Sequence, residues 1–393
     1  MSEPRHAVGG RTIAALSAAA FMSASTIRVG DPLIPQIAND FGVGAAAIVT
    51  TSFALAYGIF QLVHGALGDR YGKQRLIVLA TALSAFGTAS VALATDIATL
   101  GVLRFLSGVT ASAIIPLAMA HIGDAVPYEQ RQATLARFLF GQILGSVFGQ
   151  VAGGVLGEFL HWRAIFLVLG ALYVVAALVI LAEWRSGRVP DRRSEVDLSP
   201  PALLRRYAGL VVRRRARVVL CVVFLEGMVF YGGFSFFAAY LHDEFGLDYA
   251  RSGLVIAFFG VGGIAYALMA RRLLPLMGER GFAATGGAML MAAFVLATLA
   301  GPGAGFAAVA ALSGLGFYTL HTTLQTNATQ MAPEARGSAV AIFASCLFLG
   351  TSAGVALGGL VIETVGYAPL FLGCGATLLV LGTAFSVLLG RLR

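Results

Sequence analysis

Long apolar stretches recur along the whole chain, and short polar segments separate them. We place about twelve, near residues 11–36, 45–66, 75–95, 97–121, 134–158, 162–184, 218–241, 250–271, 281–300, 303–325, 337–361 and 367–389. A helix needs roughly 20 apolar residues to cross the hydrocarbon core of a bilayer, which is the length of these stretches. The pattern therefore predicts an all-α membrane protein with about 12 transmembrane helices.

The composition also indicates a bilayer as the solvent. Of the 393 residues, 58% are hydrophobic and 12% are charged, whereas about 25% of residues are charged in soluble domains. The net charge of +8 could indicate a nucleic-acid partner, but the basic residues follow the predicted topology. With a cytoplasmic N-terminus, the Lys and Arg residues lie on cytoplasmic segments, with the exceptions of Arg28, Arg104, Arg163 and Arg251.

Basic residues collect on the cytoplasmic loops of membrane proteins. We therefore expect a multi-pass protein of the plasma (inner) membrane with both termini in the cytoplasm. Membrane lipid is an expected partner, and nucleic acid is not.

The chain divides into two related halves. Residues 185–217 interrupt the apolar pattern with Arg, Asp, Ser and Pro. We interpret them as a cytoplasmic linker between an N-terminal six-helix bundle (1–184) and a C-terminal one (218–393). A single displacement of 205 positions relates Gly145 to Gly350 and Glu158 to Glu363, among other matches. This agreement predicts an internal repeat in which the fifth and eleventh spans are equivalent and the two bundles are pseudo-symmetric.

A charged turn joins the second and third spans, and residues 65–75 read GALGDRYGKQR. This run resembles the signature of the major facilitator superfamily, G-x-x-x-D-R-x-G-R-K-R, with Gln74 as the departure. The resemblance implies a secondary transporter with two bundles around a central site. It also implies that the turn is a gating loop, which works with an acidic residue at the inner end of the fourth span to lock the halves in the outward-open state. The matching residues are Gly65, Asp69, Arg70, Gly72, Lys73 and Asp124.

Glycines occur at a stride of four in the fifth predicted span. Gly145, Gly149 and Gly153 share one helical face, and Gly154 follows. Small residues at this spacing let another helix approach closely. The run also resembles the G-x-x-x-G-P-x-x-G-G motif of the twelve-helix drug:proton antiporter branch of that superfamily, with Gln150 in place of the proline. The resemblance implies antiport, and the glycines alone imply helix packing.

Carboxylates within the spans are candidates for proton coupling. Asp31 lies near the end of the first span, three positions after Arg28, and Glu226 lies near the middle of the seventh. Charges in a bilayer normally face a cavity or a partner. We predict that Asp31 and Glu226 carry protons and that Arg28 lines the substrate cavity. The alternatives are a structural Arg28–Asp31 pair at the membrane rim and a Glu226 that is hydrogen-bonded to another helix.

Arg104 lies in the fourth span, in the sequence Arg104-Phe-Leu-Ser107-Gly108. This run resembles the family motif R-x-x-Q-G, with Ser107 in place of the glutamine. In antiporters that arginine is linked to proton transfer, so the resemblance implies a proton-coupling role for Arg104. The alternative is a side chain that extends to the outer membrane surface.

Polar and aromatic residues at helical spacing predict a substrate cavity. Tyr318, His321 and Gln325 share one face of the tenth span, and Tyr57 and Gln61 share a face of the second. Such faces in apolar spans line a cavity or form hydrogen bonds across helices. We predict that these five residues line the cavity, with helix packing as the alternative.

The sequence contains no nucleotide-binding loop, hydrolase elbow or metalloprotease motif, and its three cysteines fall within spans. We therefore expect neither an enzyme nor a bound cofactor or metal. The favoured function is proton-coupled export of a small organic molecule by a monomer, through alternating access. The first alternative is a proton symporter that imports a small organic anion, for which Arg28 and Arg104 would have to converge. A non-transporting sensor or scaffold is the second alternative.

Overall fold

The computed structural model describes residues 10–42, 47–126, 128–186, 197–332 and 336–391. Regular structure in these ranges is helical. The helices are α1 (Gly10–Arg28), α2 (Ile34–Phe41), α3 (Ile48–Tyr71), α4 (Lys73–Ser90), α5 (Ile97–Ala111), α6 (Ile114–Ala125), α7 (Tyr128–Phe159), α8 (Trp162–Arg185), α9 (Pro200–Val211), α10 (Arg214–Phe234), α11 (Phe237–Phe245), α12 (Tyr249–Ala297), α13 (Ala304–Gln330), α14 (Arg336–Val365) and α15 (Tyr367–Arg391). Most of the predicted linker's Asp- and Ser-containing segment, residues 187–196, lies outside the described residues.

Eleven helical segments in the described part of the chain are long and apolar enough to cross a membrane. The predicted all-α membrane fold is therefore confirmed. Where the sequence predicted two spans, near 250–271 and 281–300, the structure has the 49-residue α12, which contains a non-helical residue at Gly278 (φ 64°, ψ 175°). The rings of Tyr266 and Phe282 lie 6.5 Å apart, whereas a straight helix would separate these residues by roughly 24 Å. The chain thus folds back at Gly278, and α12 contributes two crossings.

Two aspartates mark helix starts. The carboxylate of Asp96 accepts a hydrogen bond from the Thr99 backbone N–H (2.9 Å) at the start of α5, and Asp248 accepts one from the Arg251 N–H (2.6 Å) at the start of α12. Both satisfy N–H groups that have no partner within the helix. The hydrogen bonds from Thr99 hold the pKa of the Asp96 carboxyl below its usual value. These caps fix where the chain re-enters the bundle.

Contacts between helix ends define two faces of the molecule. At one face, Thr12 at the start of α1 donates to Glu183 at the end of α8 (2.5 Å), and α9 lies on this side. We call it the linker face. At the opposite face, the Trp162 indole N–H at the start of α8 donates to Asp40 at the end of α2 (2.9 Å). Buried side chains fill the space between the two faces.

The same glycine packing occurs twice. In each half, three glycines on one helix contact backbone carbonyls of a neighbouring segment. Gly145, Gly149 and Gly153 of α7 contact Phe21 and Ser25 of α1 and Val29 just after its end, and Gly350, Gly354 and Gly358 of α14 contact Phe224, Met228 and Gly232 of α10. The glycines are displaced by 205 positions and their partners by 203, from Phe21 to Phe224. By this packing, Arg28 of α1 corresponds to Tyr231 of α10.

The halves meet directly from the opposite face to the middle of the molecule. Gly154 of α7 lies against Gly253 of α12 near the opposite face. Further in, the Ser345 hydroxyl of α14 donates to the Gly58 carbonyl of α3 (2.7 Å). Two glycines with no side chain allow this close approach of α7 and α12. The molecule is thus closed between its halves at the opposite face.

Candidate functional site

A buried carboxylate and a histidine meet inside the second half. Nδ1 of His321 on α13 lies 2.8 Å from Oε2 of Glu226 on α10, within hydrogen-bonding distance. Glu226 is fully buried, and its Oε1 has no hydrogen-bond partner among the described residues. The sequence named both residues separately, and the fold brings them together. A carboxyl and an imidazole in contact can exchange a proton.

His321 lies between this carboxylate and a partly accessible helix face. Its ring stacks on Phe317 (5.0 Å between centroids, 9° between planes), and 13% of its side chain is exposed. The same face of α13 continues toward the linker face with half-buried or exposed polar residues, namely Thr322, Gln325, Thr326 and Thr329. Accessible polar groups inside a membrane span belong beside water or a polar ligand. His321 is thus the partly exposed partner of the buried Glu226 carboxylate.

The first half contains a different charged pair. Nη1 of Arg28 lies 3.4 Å from Oδ2 of Asp31, and the Thr50 hydroxyl donates to Oδ1 of Asp31 (3.1 Å). Arg28 is 8% and Asp31 3% exposed, so the pair is buried between α1 and α3. The arginine remains charged under all ordinary conditions. Asp31 therefore has a permanent counter-charge.

Arg28 also makes a contact between the halves. Its guanidinium carbon lies 4.0 Å from the centroid of the Tyr231 ring on α10, a cation–π geometry. Tyr231 lies five positions after Glu226 on α10, so the contact joins the charged pair of the first half to the helix that carries the carboxylate of the second.

Arg104 is sealed within the first half. Its side chain is 0% exposed, its Nε donates to the Val49 carbonyl (2.7 Å), and its Nη2 donates to the Thr26 carbonyl (3.3 Å). The ring of Phe53 covers the guanidinium at 4.4 Å. The side chain therefore does not extend to the membrane surface. It ties α5 to α1 and α3 through backbone carbonyls.

The predicted cavity residues fall into two groups. Tyr318, His321 and Gln325 lie on the half-buried face of α13, and the Tyr318 ring lies 5.7 Å from that of Phe259 on α12. Tyr57 is 1% exposed, with its ring 4.3 Å from that of Phe348 on α14. Gln61 is 3% exposed, and its amide oxygen has no hydrogen-bond partner within the described residues.

The predicted gating turn holds a compact set of charges. Gly72 has a φ of +102°, which favours glycine and ends α3. Lys73 Nζ contacts Asp69 at 2.9 Å and Asp124, at the end of α6, at 2.8 Å. Arg70 is exposed, and Gly65 has open space where a side chain would begin. The Lys73–Asp124 contact lies within the first half, so it joins α4 to α6.

The linker helix α9 connects the two halves beside this turn. The Tyr207 hydroxyl donates to the Leu62 carbonyl of α3 (2.8 Å), and burial raises the pKa of Tyr207. Arg206 donates to the Ser338 hydroxyl of α14 (2.6 Å) and lies 3.7 Å from Asp69. No motif in the sequence predicted this bridge. A Tyr next to an Arg within an amphipathic linker segment was the available signal.

The sequence did not predict a role for Thr50, and it did not predict that Glu226 and His321 would be in contact. Thr50 belongs to a run of three hydroxyl residues, 50–52, in an otherwise apolar span, which was a usable signal. Glu226 and His321 are 95 positions apart on different helices, and no sequence spacing links them. Within the described residues, no group of three His, Cys, Asp or Glu side chains is placed to hold a metal ion.

The known proteins that this chain resembles are membrane transporters of one superfamily. The family model of the Major Facilitator Superfamily matches residues 16–335. The chain is 28% identical to the uncharacterized MFS-type transporter YwfA of Bacillus subtilis, over 95% of this chain and 90% of that protein. It is 29% identical to the multidrug export protein EmrB of Haemophilus influenzae, over 47% of this chain and 36% of that protein.

Solved structures show the same fold. A bacterial homologue of the human lysosomal transporter Spinster, in an inward-facing and unoccupied conformation, superposes with a TM-score of 0.74 at 17% identity, over 100% of this chain and 98% of that one. The human organic anion transporter MFSD10 gives 0.72 at 16% identity, over 98% of this chain and 100% of that one. The relatives are transporters and not enzymes, as predicted. The chain belongs to the Major Facilitator Superfamily and is a transporter of a small molecule.

Proposed function

We propose that this transporter exports a small organic molecule in exchange for protons, with Glu226 and His321 as the proton-carrying pair. The observation that carries the proposal is the 2.8 Å contact between the fully buried Glu226 carboxylate and the imidazole of His321. Protonation of this pair changes the charge buried in the second half. A change of that kind biases a transporter between two conformations, because each conformation solvates the charge differently.

Glu226 suits this role better than Asp31. Asp31 already has the permanent charge of Arg28 at 3.4 Å and a hydrogen bond from Thr50. Glu226 has His321 as its ionisable partner, and histidine gains or loses its charge near neutral pH. The polar face of α13 offers protons a route to the pair from the linker face. We therefore assign Asp31 and Arg104 to supporting roles and Glu226 to proton binding.

Export is favoured over the alternative of anion import. The glycine run of α7 resembles the antiporter motif, and part of the chain is similar to a multidrug export protein. Anion import would need free arginines in the cavity. Arg104 is sealed from it and Arg28 is paired with Asp31, which argues against a carboxylate or phosphate substrate.

The proposed cycle rocks the N-terminal bundle (1–184) against the C-terminal bundle (218–393) around the site. The arginine distribution supports a cytoplasmic linker face and a plasma-membrane location. Tyr318, Gln325, Tyr57 and Gln61 are the proposed substrate contacts. The turn at Asp69 and Lys73, with α9 beside it, is the proposed inner latch, and one chain suffices for transport.

A two-step experiment tests this function. A thermal-shift screen of organic cations, anions and neutral compounds on the purified protein first identifies a stabilising compound. Its movement into and out of proteoliposomes is then measured with an imposed proton gradient and, separately, as exchange between labelled and unlabelled compound without a gradient. We expect compound to move against the proton flow. Glu226→Gln should abolish the proton-driven movement and leave the exchange, because the exchange needs no proton.

Glu363→Gln is the matched control, because that carboxylate is exposed at the end of α14 and should leave both assays unchanged. Equal proton-driven rates in Glu226→Gln, His321→Gln and the unmodified protein would show that the pair does not carry the proton. Movement of compound and protons in the same direction would select the import alternative.

A further inference from the structure

A cavity of about 250 Å³ lies between the two halves at the opposite face. The first half contributes Ile34, Pro35, Ala38 and Asn39 from α2. The second half contributes several side chains, among them Phe236, His242, Asp243 and Tyr367. We call it the interface pocket. Neither Glu226 nor His321 lines it, so it is separate from the site described above.

The floor of the interface pocket is closed. The ring of Phe236 packs against Gly358 and Gly359 of α14, and Gly359 in turn lies against Ala47 of the first half. Phe236 is 4% exposed. This layer separates the pocket from the centre of the molecule. A ligand in the pocket therefore enters from the opposite face and does not occupy the transport path beneath.

The polar groups of the pocket favour a cation. The Tyr367 hydroxyl donates to Oδ2 of Asp243 (2.5 Å) and orients this exposed carboxylate. Nδ1 of His242 lies 2.8 Å from the Leu247 carbonyl. Because a carbonyl only accepts, Nδ1 carries the hydrogen, and Nε2 of the neutral ring is an acceptor. No Lys or Arg is among the residues that line the pocket.

The protein surface around the interface pocket is also rich in acidic residues. In the described part of the chain, the opposite face carries Asp40, Asp96, Glu158, Asp243, Glu244, Asp248 and Glu363. The two arginines at this face are already paired, Arg163 with Asp40 at 2.8 Å and Arg251 with Asp248 at 3.2 Å. A surface of this charge attracts cations and repels anions.

We propose that the interface pocket binds a small organic ammonium ion. The ammonium group is held by Asp243 with Nε2 of His242 as a second acceptor, and the aromatic rings of Tyr367 and Phe236 add cation–π attraction. The apolar part of the ligand packs on Ile34, Pro35 and Ala38. A small amine with one aromatic ring or a short alkyl chain matches the volume of the cavity.

Binding in the interface pocket would hold the transporter in the conformation in which its halves are closed at the opposite face. The two walls of the pocket belong to different halves, so the pocket exists only while they are closed at this face. A ligand that binds one state alone stabilises that state by mass action. An ammonium ion added at this face should thus slow the cycle. This regulatory consequence rests on the proposed alternating-access function, whereas the binding itself does not.

The binding is tested by titration calorimetry on the purified full chain with 2-phenylethylammonium as the probe. The neutral 2-phenylethanol and the anionic phenylacetate are its matched analogues. We expect saturable binding of the ammonium ion with a Kd of about 1 mM or below and binding at least about tenfold weaker for both analogues, because a charge-assisted hydrogen bond is lost. Asp243→Asn should weaken binding by about tenfold, and Glu244→Gln, whose carboxylate does not line the pocket, should not.

Three results would overturn the proposal: no binding to the unmodified protein, equal binding of phenylacetate, or equal binding to Asp243→Asn. Loss of binding in Glu226→Gln with retention in Asp243→Asn would place the probe at the central site instead. Ala38→Phe should fill the pocket and block binding, which gives a second test on a variant that keeps the carboxylate. A failure of proton coupling in the transport assay leaves these outcomes unchanged.

Discussion

The two halves share their helix packing and differ in their buried charges. Glycines of α7 and α14 contact the carbonyls of α1 and α10 at equivalent positions. The first half then buries Arg28, Asp31 and Arg104, whereas the second buries Glu226 against His321. Close backbone approach is possible only for residues without a side chain, so the glycines cannot change without moving helices. The charged positions have no such constraint, and the two halves have diverged there.

The turns at the linker face also share a backbone feature and differ in charge. Gly72 and Gly278 both have a positive φ, at 102° and 64°. The next residue is Lys73 in the first half, bonded to Asp69 and Asp124, and Glu279 in the second, which accepts a hydrogen bond from Asn327 (3.3 Å). Both turns need a glycine at a positive φ, and the charge of the residue that follows is reversed.

The largest expected effect comes from the shared glycines. An added Cβ would lie 1.8 Å from the Met228 carbonyl oxygen at Gly354 and 2.4 Å from the Ser25 carbonyl oxygen at Gly149. Since backbone must move to accommodate it, Gly354→Ala and Gly149→Ala should each lower stability by about 3 kcal/mol. Melting temperature in detergent, followed by size-exclusion chromatography, measures the loss. Gly373→Ala, with open space at its Cβ, is the control, and a stable Gly354→Ala would refute the equivalence in packing.

Removal of Arg104 should have the next largest effect. Arg104→Leu deletes two hydrogen bonds donated by a charged group to buried carbonyls, and we expect a loss of about 2 kcal/mol. Gly108 of α5 packs on the Phe53 carbonyl as Gly314 of α13 packs on the Phe259 carbonyl, a displacement of 206 positions that makes Ala310 the equivalent of Arg104. The second half therefore has no arginine at this position. Melting temperature and transport per folded molecule are measured together. A loss of transport without a change in melting temperature would instead assign a chemical role to Arg104.

The contact between the halves should contribute less. Tyr231→Leu removes the ring that faces Arg28 and should cost about 1–2 kcal/mol, whereas Tyr231→Phe keeps the ring and should cost little. The melting temperatures of the two variants are compared. Equal losses in both would show that the hydroxyl group, and not the ring, carries the contact.

The turn at the linker face should show the smallest effect. Lys73→Met breaks the contacts with Asp69 and Asp124, but the Asp124 side chain is 40% exposed. Water and salt screen such a pair, so the expected loss is about 0.5 kcal/mol and should shrink at high salt. Glu279→Gln is the comparison in the second half. A large loss that does not respond to salt would show that burial of the Lys73 side chain, which is 11% exposed, protects the contact from screening.

Much of the fold follows from the sequence because the physical signals are local. Span lengths and the glycine stride each depend on residues close together in the chain. The repeat was visible at Gly145 and Gly350, where glycine is required in both halves. It was not visible between α1 and α10, because Arg28 and Tyr231 occupy equivalent positions with unrelated side chains. Only the carbonyl contacts of the glycines reveal that correspondence.

The candidate site was less predictable because it depends on contacts between distant helices. Glu226 and His321 were each recognised as polar residues in apolar spans, yet their pairing required the positions of α10 and α13. Arg104 shows the opposite case. Its sequence setting resembles an antiporter motif, while its Nε and Nη2 donate to the carbonyls of Val49 and Thr26 and its Nη1 has no hydrogen-bond partner among the described residues. A motif identifies the residue but not the atoms that it contacts.

The Arg28–Tyr231 contact has a consequence for the origin of the chain. Equivalent residues that touch each other lie next to the pseudo-twofold axis, where two identical subunits would present the same side chain twice. Two arginines there would repel each other inside the membrane, and two tyrosines would carry no charge to meet Asp31. An arginine opposite a tyrosine is available only once the two copies are encoded separately. This unlike contact could arise only after gene duplication had allowed the two equivalent positions to carry different residues.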